Sequence, residues 1–336
     1  MEYNVTSIPS IAYTINTISR WLNYVLAIPM IVLGILGSIL TIVVFTRQSS
    51  FQRNPTIIYL LAGAIMTAIH LPTIYLQSIL VDGFGLGIFN TNDLACREHN
   101  YLLYATTVAA ISFPCWAAFD QYASTCREAS FRNRWSSIRV VRAAITGTII
   151  FWTIVYLPMI FFSGIDHNIC VLTNIYYRNL NDFIVTPLVY TIGPLTFIII
   201  FTRRTIHNLR AIALTNRRDH LTKQIRHMLI PQLIILAMSG VPFGLQNIYF
   251  NLTNDVYKDS LRQAIEHLFV QIIRLFYHFN FVFTFYIYLY MSSEKKEFVH
   301  VILFQDFKVN DRSHPRSKEI HVQSKHISDT LTKYGY

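Results

Sequence analysis

Few side chains in this sequence stand where chemistry is forced on them. Arg274 is the clearest case, because the run His267–Ser293 holds no other Lys, Arg, Asp or Glu. His278 follows four residues later, the spacing that sets two side chains on one helical face. A guanidinium in so apolar a run must be paired or line a cavity. It can receive a carboxylate or another acidic group through charge-assisted hydrogen bonds. The plainer reading is an ion pair with Glu266, or a side chain that reaches outward to polar surroundings. Thr107, Gln246 and Gln271 also interrupt apolar runs and join Arg274 and His278 as cavity candidates. Polar residues of this kind more often bond helix to helix, and His70, Gln77, Gln232 and Asn280 are read that way.

Asp120 is the second forced position, with Gln121 and Tyr122 beside it at the end of the run His99–Phe119. A carboxylate there needs a partner or a polar headgroup. Arg139 and Arg142 are the expected partners. Bonds of Asp120 and Gln121 that differ between two states would make a latch, and Tyr122 and Tyr288 complete the expected switch. Other chemistry finds little support. The histidines at 70, 99, 167, 207 and 278 are scattered, and no Cys-x-x-Cys or Cys/His cluster occurs. No catalytic residue, metal ligand or cofactor is expected, and a membrane enzyme is disfavoured.

The elements that must position these residues follow from the distribution of charge. The chain has 336 residues, of which 53% are hydrophobic and 14% charged. Soluble domains carry about 25% charged residues, so a water-soluble globular chain is excluded. Seven windows hold no charge or only one: Trp21–Thr46, Asn54–Val81, His99–Phe119, Ala143–Ile165, Phe183–Thr202, His227–Asn254 and His267–Ser293. Each reaches the ~20 residues a helix needs to cross a bilayer. The predicted fold is an all-α membrane protein, a seven-transmembrane helix bundle spanning 21–293. Pro72, Pro158, Pro194, Pro231 and Pro242 are expected to kink their spans.

Orientation follows from the loops. With the N-terminus outside, 22 of the 28 lysines and arginines fall on the cytoplasmic side and five outside. That asymmetry predicts a multi-pass membrane protein with an extracellular segment 1–20 and a cytoplasmic C-terminus, and the plasma membrane is the expected location. It also explains the net charge of +10, so no nucleic-acid footprint is read from it. Sequons at Asn4 and Asn251 both fall outside on this topology. Cys96 and Cys170 face the oxidising side, where a disulfide would tie the outer loop to the third span. That loop, Ser163–Asp182, alternates through Ile169, Val171, Ile175 and Tyr177 as a short hairpin would. Beyond the seventh span, 294–305 has the pattern of an amphipathic eighth helix on the lipid bilayer. The tail 306–336 is polar and offers serines and threonines for phosphorylation.

The chain resembles the rhodopsin-like (class A) G-protein-coupled receptors across about residues 20–305. Gly37-Ser38, Leu61-Ala62-Gly63-Ala64, the spacing from Cys96 to Asp120-Gln121-Tyr122, Trp152, Pro194, Pro242 and Asn280 followed by Thr284–Tyr288 match the family's landmarks in order. The resemblance implies an extracellular ligand and a heterotrimeric G protein as partners. It also places Leu103 where amine receptors carry an aspartate, so an amine ligand is disfavoured. The weakly acidic outer face with Arg274 within the spans suits a peptide with a basic part and an acidic or amidated end. The departures mark a divergent, invertebrate-type branch. Gln121 stands for the motif arginine, Ile65 for the sodium-holding aspartate, Gly240 for the sixth-span tryptophan and Phe285 for the seventh-span proline. Sodium regulation and a tryptophan toggle are therefore not expected. The competing class is a seven-helix transporter or channel, which would predict internal repeats or charged rings. The sequence has neither.

Overall fold

The computed structural model describes residues 7–47, 54–77, 79–80, 84–166, 169–212, 219–253 and 256–291. Seven long helical spans run through them. The first comprises Ser7–Leu22, a π-helical turn Asn23–Ala27 and Ile28–Arg47; the second is Pro55–Gln77 and the third Asp93–Thr125. The fourth comprises Ile138–Tyr156 and Pro158–Phe162. The fifth joins Ile175–Leu180 through π-helical turns Asn181–Val185 and Pro187–Ile192 to Gly193–Ile212. The sixth is Asp219–Leu252 and the seventh Ser260–Met291. Six of the spans are long and apolar enough to cross a bilayer. The sixth adds the window His227–Asn254 behind a charged first turn.

The helices outrun the apolar windows wherever a polar end is locally satisfied. The third span starts at Asp93 because the Asn92 side chain accepts from the Leu94 and Ala95 amides, at 3.0 and 3.2 Å. That is an N-cap. The first span starts at Ser7, inside the expected extracellular segment, because Ile8, Ile11, Ala12, Ile15 and Ile18 recur at helical spacing. Its buried Ser19 lies 3.2 Å from His267 Nδ1, which fastens this extension to the seventh span. The fourth helix breaks at Leu157, where Pro158 has no amide hydrogen to continue the ladder. Pro114 inside the third span is a further proline within a helix.

The outer loop contains the expected hairpin, β1 Ser163–Asp166 paired antiparallel with β2 Ile169–Leu172, with Ile165 opposite Cys170. Cys96 and Cys170 form the disulfide, with Cα atoms 5.6 Å apart. Asn90 Oδ1 accepts from the Cys170 amide at 3.1 Å, and Asn100 donates to Ser163 Oγ at 3.2 Å. These bonds hold the strands over the bundle mouth. The chain then turns helical again at Ile175, sooner than an all-loop reading allows, with Asn174 capping the Tyr177 amide at 3.0 Å.

Two apolar clusters fill the bundle. One, at the end of the bundle away from the hairpin, centres on Phe45, Tyr59, Leu60, Phe113, Val141, Ile198 and Leu236. The other, in the outer half, centres on Met30, Leu71, Tyr75, Tyr156, Tyr190, Tyr277 and Phe281. The outside is also apolar: Val32, Leu36, Ile69, Ile150, Ile154 and Leu245 are exposed. That surface suits lipid rather than water. Gly37 permits the first and seventh spans to meet, since a Cβ there would lie 3.2 Å from Phe285 Cβ.

Candidate ligand cavity and buried carboxylate network

In the outer half a cavity of about 760 Å³, open mouth included, lies between the second, third, fifth, sixth and seventh spans. Five of the six expected candidates line it: Leu103, Thr107, Gln246, Arg274 and His278. Gln271 does not; it is buried in the seventh span. Helical phase does not separate it, since Gln271 is three residues from Arg274 and seven from His278, on the same face; it lies one turn before Arg274 along the span, beyond the lining.

The structure adds residues that sequence reasoning did not place here. His70 lines the cavity, with its Nδ1 2.9 Å from Thr107 Oγ1. Its ring lies 5.6 Å from that of His278 and 4.9 Å from that of Phe281. Tyr104, Tyr190, Phe243 and Tyr277 supply aromatic walls, and Phe243 stacks on Tyr277 with centroids 4.3 Å apart. A histidine in an otherwise apolar second span was the available signal for His70. Nothing in the sequence says which helix it faces. Four buried atoms around this cavity have no hydrogen-bond partner among the described residues: His70 Nε2, His278 Nδ1, Tyr277 OH and Gln246 Oε1. Buried polar atoms are normally bonded; these four belong to residues that line one cavity. The expected Glu266 pairing of Arg274 gives way to another arrangement. Glu266 is taken by Lys258 at 2.6 Å and Arg262 at 2.9 Å, with Tyr249 OH donating at 2.8 Å.

At the other end of the bundle Asp120 is buried, and its expected pairing with Arg139 or Arg142 is not formed. Thr56 Oγ1 donates to Asp120 Oδ2 at 2.5 Å, and Ser136 Oγ donates to Oδ1 at 3.1 Å. Gln121 Nε2 donates to Thr56 Oγ1 at 2.7 Å. Arg139 and Arg142 are exposed. Hydroxyls enter a buried site at far lower desolvation cost than guanidinium groups. Tyr122 packs on Phe119, Phe131 and Phe201. The Tyr288 side chain, the Asn4 sequon, the eighth-helix segment 294–305 and the tail 306–336 lie outside the described residues. Asn251 sits in the last turn of the sixth span with its amide nitrogen buried, so that sequon is closed in the folded chain.

The remaining landmarks can be placed directly. Trp152 donates to Ser112 Oγ at 2.9 Å, joining the fourth and third spans. Pro194 follows the π-helical turns of the fifth span, and Pro242 lies within the sixth. Thr191 donates to the Gly240 carbonyl at 3.0 Å, so a threonine of the fifth span occupies the ground opposite the glycine that replaces the tryptophan. Asn280, with Gly63, Ala64 and Thr67, lines a small mid-bundle cavity. Ile65 does not line it: its side chain is 43% exposed on the outside of the bundle. The motif match therefore set Ile65 out of helical phase with the inner cavity, whose facing residues are Gly63 and Ala64. The lining holds no carboxylate.

The model of the family described as 7 transmembrane receptor (rhodopsin family) matches residues 37–288, from Gly37 in the first span to Tyr288 in the seventh. A comparison with curated proteins found no match. Seven spans, the disulfide from the third span to the outer hairpin, and a match over most of the chain agree. The chain belongs to the rhodopsin family of seven-transmembrane receptors.

Proposed function

We propose that the protein is a plasma-membrane receptor, N-terminus outside, that binds an extracellular peptide in the outer cavity and signals to a heterotrimeric G protein. The observation that carries this reading is the convergence of Leu103, Thr107, Gln246, Arg274 and His278, from three spans, on one cavity with four unbonded polar atoms around it. Concave sites with mostly apolar walls and a few placed polar groups are the form that ligand sites take. Leu103 in the cavity wall offers no counter-charge to an amine, while Arg274 offers a cation. The outer surface carries Asp82, Asp93, Glu98, Asp166, Asp182, Asp255, Asp259 and Glu266, which steer a ligand with a basic part towards the mouth.

For the inner face we read Asp120, Gln121, Thr56 and Ser136 as the latch. Gln121 has no charge to offer a G protein, so signalling depends on release of the Thr56 and Ser136 bonds rather than of an arginine. The test is expression of the full chain with a G-protein dissociation readout, challenged with peptide and non-peptide collections. Nucleotide exchange on the G protein in response to a peptide supports the proposal. An ion current without any exchange signal replaces it with the channel class.

A further inference from the structure

We propose that the cavity is built to receive a primary carboxamide, the amidated C-terminus of a peptide, and to reject the corresponding free acid. This rests on the reading of the cavity as the ligand site, and it names the chemical group that site selects.

The argument starts from one hydroxyl proton. Thr107 Oγ1 lies 2.5 Å from the Leu103 carbonyl and 2.9 Å from His70 Nδ1. A hydroxyl has a single hydrogen to give. The shorter contact, to a carbonyl one turn back in the same helix, takes it. Thr107 Oγ1 must then accept from His70, which places the imidazole hydrogen on Nδ1. No carboxylate lines the cavity to balance a second charge, and the imidazole is neutral. Its Nε2 is a bare lone pair, buried and unbonded among the described residues.

His70 Nε2 is thus a fixed acceptor, and Gln246 Oε1 is a second buried acceptor on the same cavity. Arg274 presents only donors. A carboxylate suits the charge of Arg274 and can accept from the Tyr277 hydroxyl, but sets its own lone pairs against His70 and Gln246. An ammonium satisfies the two acceptors and meets the guanidinium with like charge. A primary carboxamide carries both functions, a carbonyl that accepts and two N–H groups that donate. Its carbonyl suits Arg274 or the unbonded Tyr277 hydroxyl, and its amino group suits His70 Nε2 and Gln246 Oε1. The aromatic walls, Tyr104, Tyr190 and Phe243, then surround the side chain of the last residue. A site built for hydrogen-bond donors discriminates strongly against an analogue that lacks them, because its buried acceptors are left unpaired.

The experiment uses a collection of short synthetic peptides, each made twice, as the C-terminal amide and as the free acid. They are applied to cells expressing the full-length receptor, with G-protein dissociation as the readout. The expected result is that responding sequences act as amides, with the free acids weaker by about 30-fold or more. His70→Phe should narrow that ratio to about threefold or less, and Gln246→Met should narrow it in the same direction. Surface expression is measured for both, and if His70→Phe does not reach the surface, Gln246→Met decides alone. Free acids as potent as the amides overturn the inference while leaving the cavity as a peptide site. An amide preference unchanged in the surface-expressed variants also overturns it, since the terminus is then read elsewhere. Responses confined to non-peptide compounds overturn both this inference and the peptide reading beneath it.

Discussion

At the end of the bundle away from the hairpin, Thr56 and Ser136 donate to Asp120 while Gln121 donates to Thr56. None of the four leaves a buried side-chain nitrogen or oxygen unbonded. In the outer half, His70, His278, Tyr277 and Gln246 each leave such an atom unbonded, and all four line one cavity. Both regions bury polar side chains contributed by several spans. They differ in who completes the bonding. The inner network is closed on itself, across the second span, the third span and the loop before the fourth, and its members hold those elements in register. On the proposed reading the outer set is completed by a ligand that enters through the mouth. A chain that satisfied its outer groups internally would have no reason to bind, and one that left its inner groups open would not hold a defined resting state. On the proposed function the contrast separates a region that holds from a region that receives.

The strongest way to break the contrast is Thr56→Val. It removes the donor to Asp120 and the acceptor for Gln121 in one nearly isosteric change. A buried carboxylate loses one of its two hydroxyl donors, at a cost of about 3 kcal/mol. The expected outcome is a clear drop in the melting temperature of detergent-solubilised receptor, together with raised basal G-protein dissociation per receptor at the surface. If neither quantity moves, the inner network is not a holding device. Arg274→Met is the corresponding blow to the outer region. It should weaken activation by peptide agonists by about 2 kcal/mol or more, some 30-fold in potency. Basal signalling should stay near wild type. A loss of stability comparable to that of Thr56→Val would place Arg274 among the holding groups instead.

Ser136→Ala sharpens the inner half of the comparison. Ser136 supplies the longer of the two bonds to Asp120, 3.1 Å against 2.5 Å for Thr56, and it sits in the loop rather than within a span. Its loss should cost about 1 kcal/mol, with the same signs as Thr56→Val and a smaller effect in both the melting and basal-signalling measurements. The reverse ranking would mean that the loop, not the second span, is the main fastening.

The sequence carried the spans more fully than it carried their contacts. Charge-free windows located all seven helices, because a bilayer imposes length and composition on each span independently of the others. They missed helix ends such as Asp93 and Ser7, since capping by Asn92 and amphipathic spacing extend a helix past the apolar stretch. They gave no sign of the π-helical turns in the first and fifth spans, which no composition rule marks. Partners across spans were the least legible. Asp120 lies far along the chain from Thr56, and arginines nearer in sequence looked better by charge alone. The reading of Ile65 failed for a related reason. A motif fixes position along a helix, but a step of one or two residues turns the side chain by 100° or 200° about the axis. Arg274 and His278 were legible because their spacing fixed their relative phase, and one charge in an apolar run says which face must look inward.

Gln271 offers the finest test of the comparison, because it is as buried as His278 and one of the residues the sequence put forward for the cavity. It does not line that cavity. If burial of a polar group in the seventh span were enough to make it part of the receiving region, Gln271→Leu would lower agonist potency as Arg274→Met does. If facing the cavity is what matters, the substitution should leave potency within about threefold of wild type. It should also leave the preference for amidated over free-acid peptides unchanged, with any effect confined to thermal stability and of the ~1 kcal/mol size typical of a helix-to-helix polar contact in a membrane. Potency and melting temperature measured on the same variant separate the two cases, and a potency loss beyond tenfold would show that the receiving region extends behind the wall of the cavity.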